Sequence, residues 1–308
     1  MALELADRQA RLDEVVFELE RRFGPGVVYR LSQARPKLGA RSVPTGSLGL
    51  DQATGVGGVP RGRITTVDGS ESSGKTTLAY HVLANAQADG GLAAFVDAEQ
   101  SADAEELRQC GIDFGDLVLG LPTCAAEALE MAEILARCAA LDAVVLSALP
   151  RPYRSALLAE GARRLAAAVA GTPTALVLIG LGGQGPRATD PTFASLSLRL
   201  RPVRLLRRPG GEIVGFRTRA EVVKNKLAPP GATAEFEVVE GRGIHRPAEL
   251  FDLGLDLGLI EQLPPGPAYA GCLLGPGRAR AIFELERDRR LADRLEAEIR
   301  QRLFLDRG

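Results

Sequence analysis

The chain has no tryptophan, two histidines and four cysteines in 308 residues. The cysteines are scattered without a C-x-x-C pair, so the spacing expected of a zinc site or a disulfide framework is missing. We expect reduced thiols buried in the core. Aromatic residues make up only 5% of the chain, which argues against a surface that stacks on nucleic-acid bases.

The sequence also lacks an excess of either charge and lacks long apolar runs. The formal net charge is −1, so nucleic-acid binding would have to come from a local patch. No uncharged run reaches membrane-spanning length, and the first ten residues lack the apolar core of a signal peptide. These absences predict a cytoplasmic protein with no membrane partner. The 45% of hydrophobic residues suffices for one large domain or two unequal ones.

The strongest motif is a glycine-rich loop that fits the P-loop pattern G-x-x-x-x-G-K-[ST]. An apolar run over 64–67 enters it and a helix-like run over 78–88 leaves it, which is the context the motif requires. Lys75 would reach the β/γ-phosphates of a nucleotide and Thr76 would face Mg²⁺, with backbone N–H groups around the phosphates. The predicted loop residues are Gly69, Ser70, Glu71, Ser72, Ser73, Gly74, Lys75, Thr76 and Thr77.

Two further apolar runs end in polar residues that have a bearing on hydrolysis. The run over 92–96 ends at Asp97-Ala98-Glu99, and Glu99 is a candidate to orient the water that attacks a γ-phosphate. The alternative is a helix N-terminus, where acids are also favoured. The run over 143–146 ends at Ser147, where a P-loop ATPase normally has the Walker B acid. A hydroxyl can contact a metal-bound water without bringing charge, so Ser147 joins Thr76 as a candidate metal residue.

The pattern of the chain predicts three parts: an N-terminal arm over 1–34, a core over 35–243 and a small α/β domain over 244–308. The arm has a helix over 3–23 and a short strand over 27–31. Its apolar stripe packs either on a neighbouring subunit or on its own core, and the sequence leaves both open.

Other segments have a less specific pattern. We predict a helix over 154–170, a turn-rich segment over 264–277 and a helix-like segment with charge on both sides over 282–303. Five arginines between Leu196 and Arg208 alternate in part with leucine, as in a half-buried strand. They form either a phosphate-contacting stripe or a solvated face with structural ion pairs, and the neutral overall charge favours the second.

Six blocks along the chain resemble the bacterial RecA recombinase family. They are RFGPG at 22–26, TGSLGLD at 45–51, ESSGKTT at 71–77, FVDAE at 95–99, VVKNK at 222–226 and ELFDLG at 249–254. The resemblance implies an α/β fold with a RecA-like P-loop NTPase core, in which helices cover both faces of a mainly parallel sheet. It also implies an N-terminal helix arm that docks on the next subunit and a small C-terminal α/β domain.

The same resemblance assigns roles to individual residues around ATP and Mg²⁺ bound between subunits. Glu99 matches the water-orienting acid, and Asp103 matches the residue that contacts the adenine amino group. Lys224 and Lys226 match lysines that reach the neighbour's γ-phosphate. With Lys75, these residues form the predicted catalytic set.

The departures from the family pattern bear on catalysis and DNA binding. Ser147 replaces the Walker B Asp, and Glu106 replaces an adenine-stacking Tyr. Gly180-Leu181 replaces the Asn-Gln pair that senses the γ-phosphate. The segment after Ser147 is too short to hold the family's first DNA-binding loop. The segment over 180–192, which corresponds to the second loop, is shorter than in the family and differs from it in sequence.

We therefore expect an ATP-binding RecA-like paralogue of DNA repair and recombination in the SOS response to DNA damage, with weak or absent hydrolysis. It resembles the ImuA class of accessory proteins. Expected partners are RecA or copies of this chain, through the N-terminal arm, and translesion polymerase components, with weakened single-strand DNA binding. One alternative is a divergent but active single-strand-DNA-dependent ATPase and strand-exchange recombinase. Another is an assembly protein that uses ATP only to hold an interface.

Overall fold

The computed structural model describes residues 2–23, 42–88, 90–147, 161–180, 193–208 and 210–305. The chain divides into two compact units, Met1–Ala40 and Arg41–Gly308. The first contains helix α1 (Ala2–Phe23), close to the predicted helix, and three of its apolar side chains are exposed: Leu12, Val15 and Phe17. The predicted strand over 27–31 lies outside the described residues, and the three-part division of the chain stays a prediction.

The second unit consists of strands and helices in alternation. Its strands are β1 (Ser42–Val43), β2 (Val59–Pro60), β3 (Arg63–Gly69), β4 (Ala93–Val96), β5 (Leu117–Gly120), β6 (Ala143–Leu146), β7 (Ala175–Ile179), β8 (Leu196–Arg207), β9 (Ile213–Asn225), β10 (Thr233–Val239), β11 (Gly243–Ile244), β12 (Ile260–Leu263), β13 (Gly266–Tyr269) and β14 (Cys272–Leu273). Its α-helices are α2 (Leu48–Ala53), α3 (Lys75–Ala88), α4 (Ala104–Gln109), α5 (Ala125–Arg137), α6 (Ala162–Val169), α7 (Arg246–Asp256), α8 (Arg278–Arg287) and α9 (Arg289–Arg300).

The main sheet has the strand order β11-β10-β9-β8-β3-β7-β6-β4-β5 within the described residues. The strands from β8 to β5 are parallel, and β9, β10 and β11 extend the sheet as antiparallel neighbours. Strands β4, β6 and β7 are buried along their whole length, as continuous apolar strands covered on both faces should be. Helix α3 packs in the core on one face, and α5 and α6 pack in the core on the other. The predicted fold class is confirmed.

The parallel register gathers the predicted site at one edge of the sheet. Val67 pairs with Ile179, and Leu146 pairs with both Leu178 and Val96. The chain segments that follow β3, β4 and β6 therefore leave the sheet at the same carboxyl edge, with β7 between β3 and β6, and open α/β sheets bind ligands at this edge.

The C-terminal part has its own hydrophobic cluster, to which Leu48 of α2 also contributes. The structure adds two details here. The turn-rich segment also contains β13 and β14, which form a small antiparallel sheet with β12. The helix-like segment over 282–303 belongs to two helices, because Asp288 ends α8 and its carboxylate accepts the Leu291 N–H at 3.1 Å to begin α9. The predicted helix over 154–170 is described only from residue 161, as α6.

The cysteines differ from expectation as well. Only Cys110 is buried, and burial raises the pKa of its thiol to about 12. Cys124, Cys138 and Cys272 are exposed; the first two lie at the ends of α5 and the third lies in the short strand β14. None of the described helices is long and apolar enough to cross a bilayer.

Candidate nucleotide-binding site

The P-loop connects the end of β3 to the start of α3. Its backbone is left-handed at Ser72 (φ +54°) and Gly74 (φ +86°). A Cβ at Gly74 would lie 3.3 Å from Val238, and one at Gly69 would lie 2.4 Å from the Leu200 carbonyl oxygen. Glycine is required at Gly69 by this close backbone approach, and at Gly74 by the backbone conformation.

The loop has the donors that a triphosphate needs. Among the described residues, no acceptor takes a hydrogen bond from the backbone N–H groups of residues 70–74. Lys75 lies beside them, and its Nζ donates to the Ser70 carbonyl at 2.5 Å. N–H groups at a helix N-terminus together with an ammonium group fit a polyphosphate anion.

The donor set for Mg²⁺ is sparse. Thr76 lies half-buried on the first turn of α3, where its hydroxyl suits the metal of a P-loop. The described residues contain no cluster of three or more His, Cys, Asp or Glu side chains that would hold a metal. Magnesium usually takes few protein ligands and keeps water and substrate phosphates as the others, so Thr76 with a bound triphosphate fits the ion.

The floor under the P-loop is built by the β8–β9 hairpin. Thr218 is fully buried, and its Oγ1 lies 3.0 Å from the carbonyl oxygens of both Ser73 and Arg201. The Phe216 ring lies 3.4 Å from the position of a Cβ on Gly74. No local sequence pattern indicates this support, because it joins residues 145 positions apart.

Beyond β4 and β6, a set of hydrogen bonds joins Ser147 to the turn that contains Glu99. The Ser147 Oγ accepts from the N–H of Ala98 at 2.8 Å and of Glu99 at 3.3 Å, and it lies 3.3 Å from Asp97 Oδ1. Asp97 and Ser147 are buried, whereas Glu99 is exposed. Asp97 was not singled out from the sequence, although it stands in the same FVDAE block as Glu99.

The two residues expected near the adenine base, Asp103 and Glu106, are acidic and are connected by a hydrogen bond. Asp103 caps α4, its Oδ1 accepting from the N–H of Glu105 at 2.8 Å and of Glu106 at 3.0 Å. Glu106 accepts from Thr77 Oγ1 at 3.3 Å, which connects α4 to the first turn of α3. Burial, and next the charge of Glu106, raise the pKa of Tyr80 behind this cluster.

Lys224 and Lys226 do not join this group within one chain. Lys224 is opposite Ser197 on β8, which is level with Thr66 of β3. Thr66 lies three residues before Gly69, which is roughly 10 Å along the strand at the usual rise. Both lysines therefore stand back from the carboxyl edge of their own sheet.

The arginines of β8 make ion pairs. Arg201 contacts Glu221 at 2.7 Å, and Arg204 contacts the buried Glu237 at 3.3 Å. Arg208 pairs with Glu212 at 3.2 Å across the hairpin turn. These pairs agree with a structural role for the arginines.

The RecA N-terminal domain family matches residues 10–179, more than half of the chain. The chain belongs to the RecA family. It is 38% identical to Protein RecA of Frankia casuarinae over 326 residues, which cover 96% of this chain and 94% of that protein. It is 36% identical to Protein RecA of Caldanaerobacter subterraneus over 329 residues, which cover 98% and 96%.

A solved structure also resembles this RecA-family chain. The crystal structure of the RadB recombinase matches 66% of this chain and 98% of its own, with a TM-score of 0.52 and 24% identity. At that identity the likeness shows the fold alone. Family membership identifies the chain as a RecA-like ATP-binding protein of DNA recombination and repair.

Proposed function

We propose that this protein is an accessory RecA-family member that binds ATP with Mg²⁺, hydrolyses it slowly, and acts in DNA repair through contacts with other proteins. One contrast carries the proposal. The P-loop retains its glycines, Lys75 and Thr76, whereas the strand that normally supplies the Walker B acid ends in Ser147, whose hydroxyl contacts protein groups.

Energetics supports a larger effect on turnover than on binding. Loss of one charged hydrogen-bond partner costs about 1.5–3 kcal/mol. The P-loop N–H groups and Lys75 hold the phosphates in the ground state and do not depend on Ser147. A missing acid near the metal acts where charge is redistributed in the transition state, so it slows hydrolysis more than it weakens affinity.

The other site residues take the roles that the family resemblance implies. Glu99 would orient the attacking water and Asp103 would contact the base. Glu106, in place of an aromatic ring, offers a carboxylate and no stacking face. Lys224 and Lys226 stand back from their own P-loop, so we assign them to the nucleotide of a neighbouring subunit.

The proposed partners are RecA itself or further copies of this chain, in a filament or oligomer, and translesion polymerase components. The exposed Leu12, Val15 and Phe17 on α1 support docking through the N-terminal arm. The two segments that correspond to DNA-binding loops are short in the sequence and lie outside the described residues. We propose weakened single-strand DNA binding on the sequence alone.

A second candidate function is a working single-strand-DNA-dependent ATPase and strand-exchange recombinase. The observation in its favour is the 36–38% identity to RecA proteins over nearly the whole of both chains. Another group would then have to hold Mg²⁺ in place of the Walker B acid.

ATP turnover with and without single-strand DNA separates the two functions. We expect fluorescent ATP-analogue binding that requires Lys75, with slow turnover that single-strand DNA raises less than twofold. The Lys75→Ala variant serves as the background for contaminating ATPase. A many-fold rise in turnover on adding single-strand DNA would refute the accessory role and establish the recombinase.

A further inference from the structure

The hydroxyl group of Ser147 has a complete set of hydrogen-bond partners within the protein. A serine hydroxyl has one proton to donate and two lone pairs to accept. Both lone pairs are used by the N–H groups of Ala98 and Glu99, at 2.8 and 3.3 Å, and the proton is directed to Asp97 Oδ1 at 3.3 Å. Ser147 is also only 3% exposed. A hydroxyl in this state has little capacity left for a metal-bound water.

These bonds fix the turn that presents Glu99. Asp97 Oδ2 accepts from the Ala102 N–H at 2.8 Å, and the Asp97 carbonyl accepts from the Gln100 N–H at 3.4 Å. Gln100 is in the left-handed region, with φ +52°, which makes the turn sharp. Ser147 is the connection between this turn and the neighbouring strand β6, about fifty residues away in sequence.

A carboxylate at the same place would not make the same contacts. It has no proton to donate to Asp97, and two carboxylates about 3 Å apart repel each other unless one is protonated or a cation lies between them. Compared with a carboxylate, serine keeps the turn that presents Glu99 hydrogen-bonded to the end of β6, but it lacks the negative charge that would bind a metal. The two residue types serve different purposes here.

We propose that Ser147 is a positioning residue that holds the Glu99 backbone for hydrolysis, in place of the metal-binding role expected from its place in the sequence. The inference rests on the proposed function, because it takes Glu99 as the water-orienting acid. It predicts that removing the hydroxyl disturbs the orientation of Glu99 and leaves nucleotide and metal binding intact.

The kinetic test compares Ser147→Ala and Ser147→Thr in the full chain, with single-turnover ATP hydrolysis at excess protein. We expect Ser147→Ala to lower the rate about tenfold, since small misplacements of a catalytic group have large effects. The Mg²⁺ midpoint and the affinity for a fluorescent ATP analogue should stay within twofold. Ser147→Thr, which keeps the hydroxyl, should recover most of the rate. A several-fold rise in the Mg²⁺ midpoint for Ser147→Ala would overturn the proposal in favour of metal binding.

Amide hydrogen exchange gives a second readout that does not depend on turnover. In ATP-free protein, Ser147→Ala should speed exchange at Ala98 and Glu99 about tenfold and leave β5 unchanged, while Ser147→Thr behaves as wild type. Unchanged exchange at Ala98 and Glu99 in Ser147→Ala would refute the positioning role. Because this measurement needs no nucleotide, it remains decisive even if the wild-type protein binds no ATP and the proposed function fails.

Discussion

The two sides of the candidate site are built in different ways. The phosphate side consists of backbone N–H groups, Lys75 and a floor from the β8–β9 hairpin, where Thr218 and Phe216 contact the loop. The proposed hydrolytic side consists of a few side chains after β4 and β6, and one of them is Ser147, where the family resemblance implies an acid. On this proposal several main-chain groups and Lys75 share the binding of the phosphates, whereas hydrolysis depends on individual charges.

This difference indicates that nucleotide binding tolerates sequence divergence better than hydrolysis does. Most single side-chain replacements leave the backbone donors of the phosphate site in place, because main-chain N–H groups do not change with the residue type; the loop glycines and Lys75 are the exceptions. A replacement that removes a charged side chain removes the whole contribution of that charge. On this proposal, a RecA-family chain can continue to bind ATP while its rate of ATP hydrolysis falls.

The largest effect is expected from Lys75→Ala. Losing the ammonium removes two or more charged hydrogen bonds to phosphate, each contributing about 1.5–3 kcal/mol. We expect at least a hundredfold loss of ATP affinity, about 3 kcal/mol, measured by titration of a fluorescent analogue. Arg63→Ala is the control, because Arg63 is an exposed cation at the start of β3, at the opposite end of that strand from the P-loop. Retained affinity in Lys75→Ala would mean that residues 69–77 are not the phosphate site.

Two buried titratable groups outside the phosphate site have opposite pH dependence. Burial raises the pKa of Asp51 to about 7, against the opposing bonds from Thr45. Burial lowers the pKa of His81, on α3, to about 4, and its Nε2 accepts the Ile244 N–H at 2.8 Å. Asp51 contributes stability that is present at low pH and lost as pH rises through 7. His81 contributes stability that is lost as pH falls from 6.5 to 4.

The Asp51→Asn variant separates these contributions. Asn can still accept both bonds from Thr45, which are 2.7 Å long, but it does not titrate. Between pH 7.5 and 5 the wild type should gain roughly 2–3 kcal/mol of unfolding free energy relative to the variant. Urea unfolding at several pH values measures this difference. A constant difference across that range would show that Asp51 is ionised in the folded protein, with an ordinary pKa.

Thr218→Val tests the floor of the P-loop. Valine keeps the shape and removes the hydroxyl, whose single proton is shared between the carbonyls of Ser73 and Arg201, so one donor is lost at a cost of about 1–2 kcal/mol. We expect ATP affinity to fall three- to tenfold, and we expect the unfolding free energy to fall by about 1–2 kcal/mol. Thr218→Ser, which keeps the hydroxyl, should leave the ATP affinity and the unfolding free energy close to those of the wild type. If affinity is unchanged while stability falls, the hairpin supports the fold without shaping the phosphate site.

The sequence predicted the parts of the site that depend on local pattern. Lys75 and Thr76 follow from the motif and its strand–loop–helix context. The apolar run over 143–146 coincides with strand β6, because a short, continuous apolar run is typical of a strand buried on both faces of a parallel sheet.

The parts that failed depend on contacts between distant segments or on a single residue. Nothing near Thr218 indicates that it contacts Ser73, and nothing in the charge pattern of 282–303 marks Asp288 as the end of one helix and the cap of the next. The exposed Cys124 and Cys138 also show that residue type alone is a poor guide to burial at helix ends.

The smallest effect is expected for the β8 arginines, and it bears on whether the hairpin has a function beyond forming the floor. The Arg201 side chain is 65% exposed and pairs with Glu221, so Arg201→Ala should cost only about 0.2–1 kcal/mol of stability. If the arginines serve ion pairing, binding of single-strand DNA should be unchanged in Arg201→Ala and should have the same salt dependence as in the wild type. Glu221→Gln is the matched control, because it breaks the pair and leaves the arginine. If instead Arg201→Ala weakens DNA binding and reduces the slope of log affinity against log salt by about one, the arginine contacts a phosphate and the hairpin belongs to a DNA-binding surface.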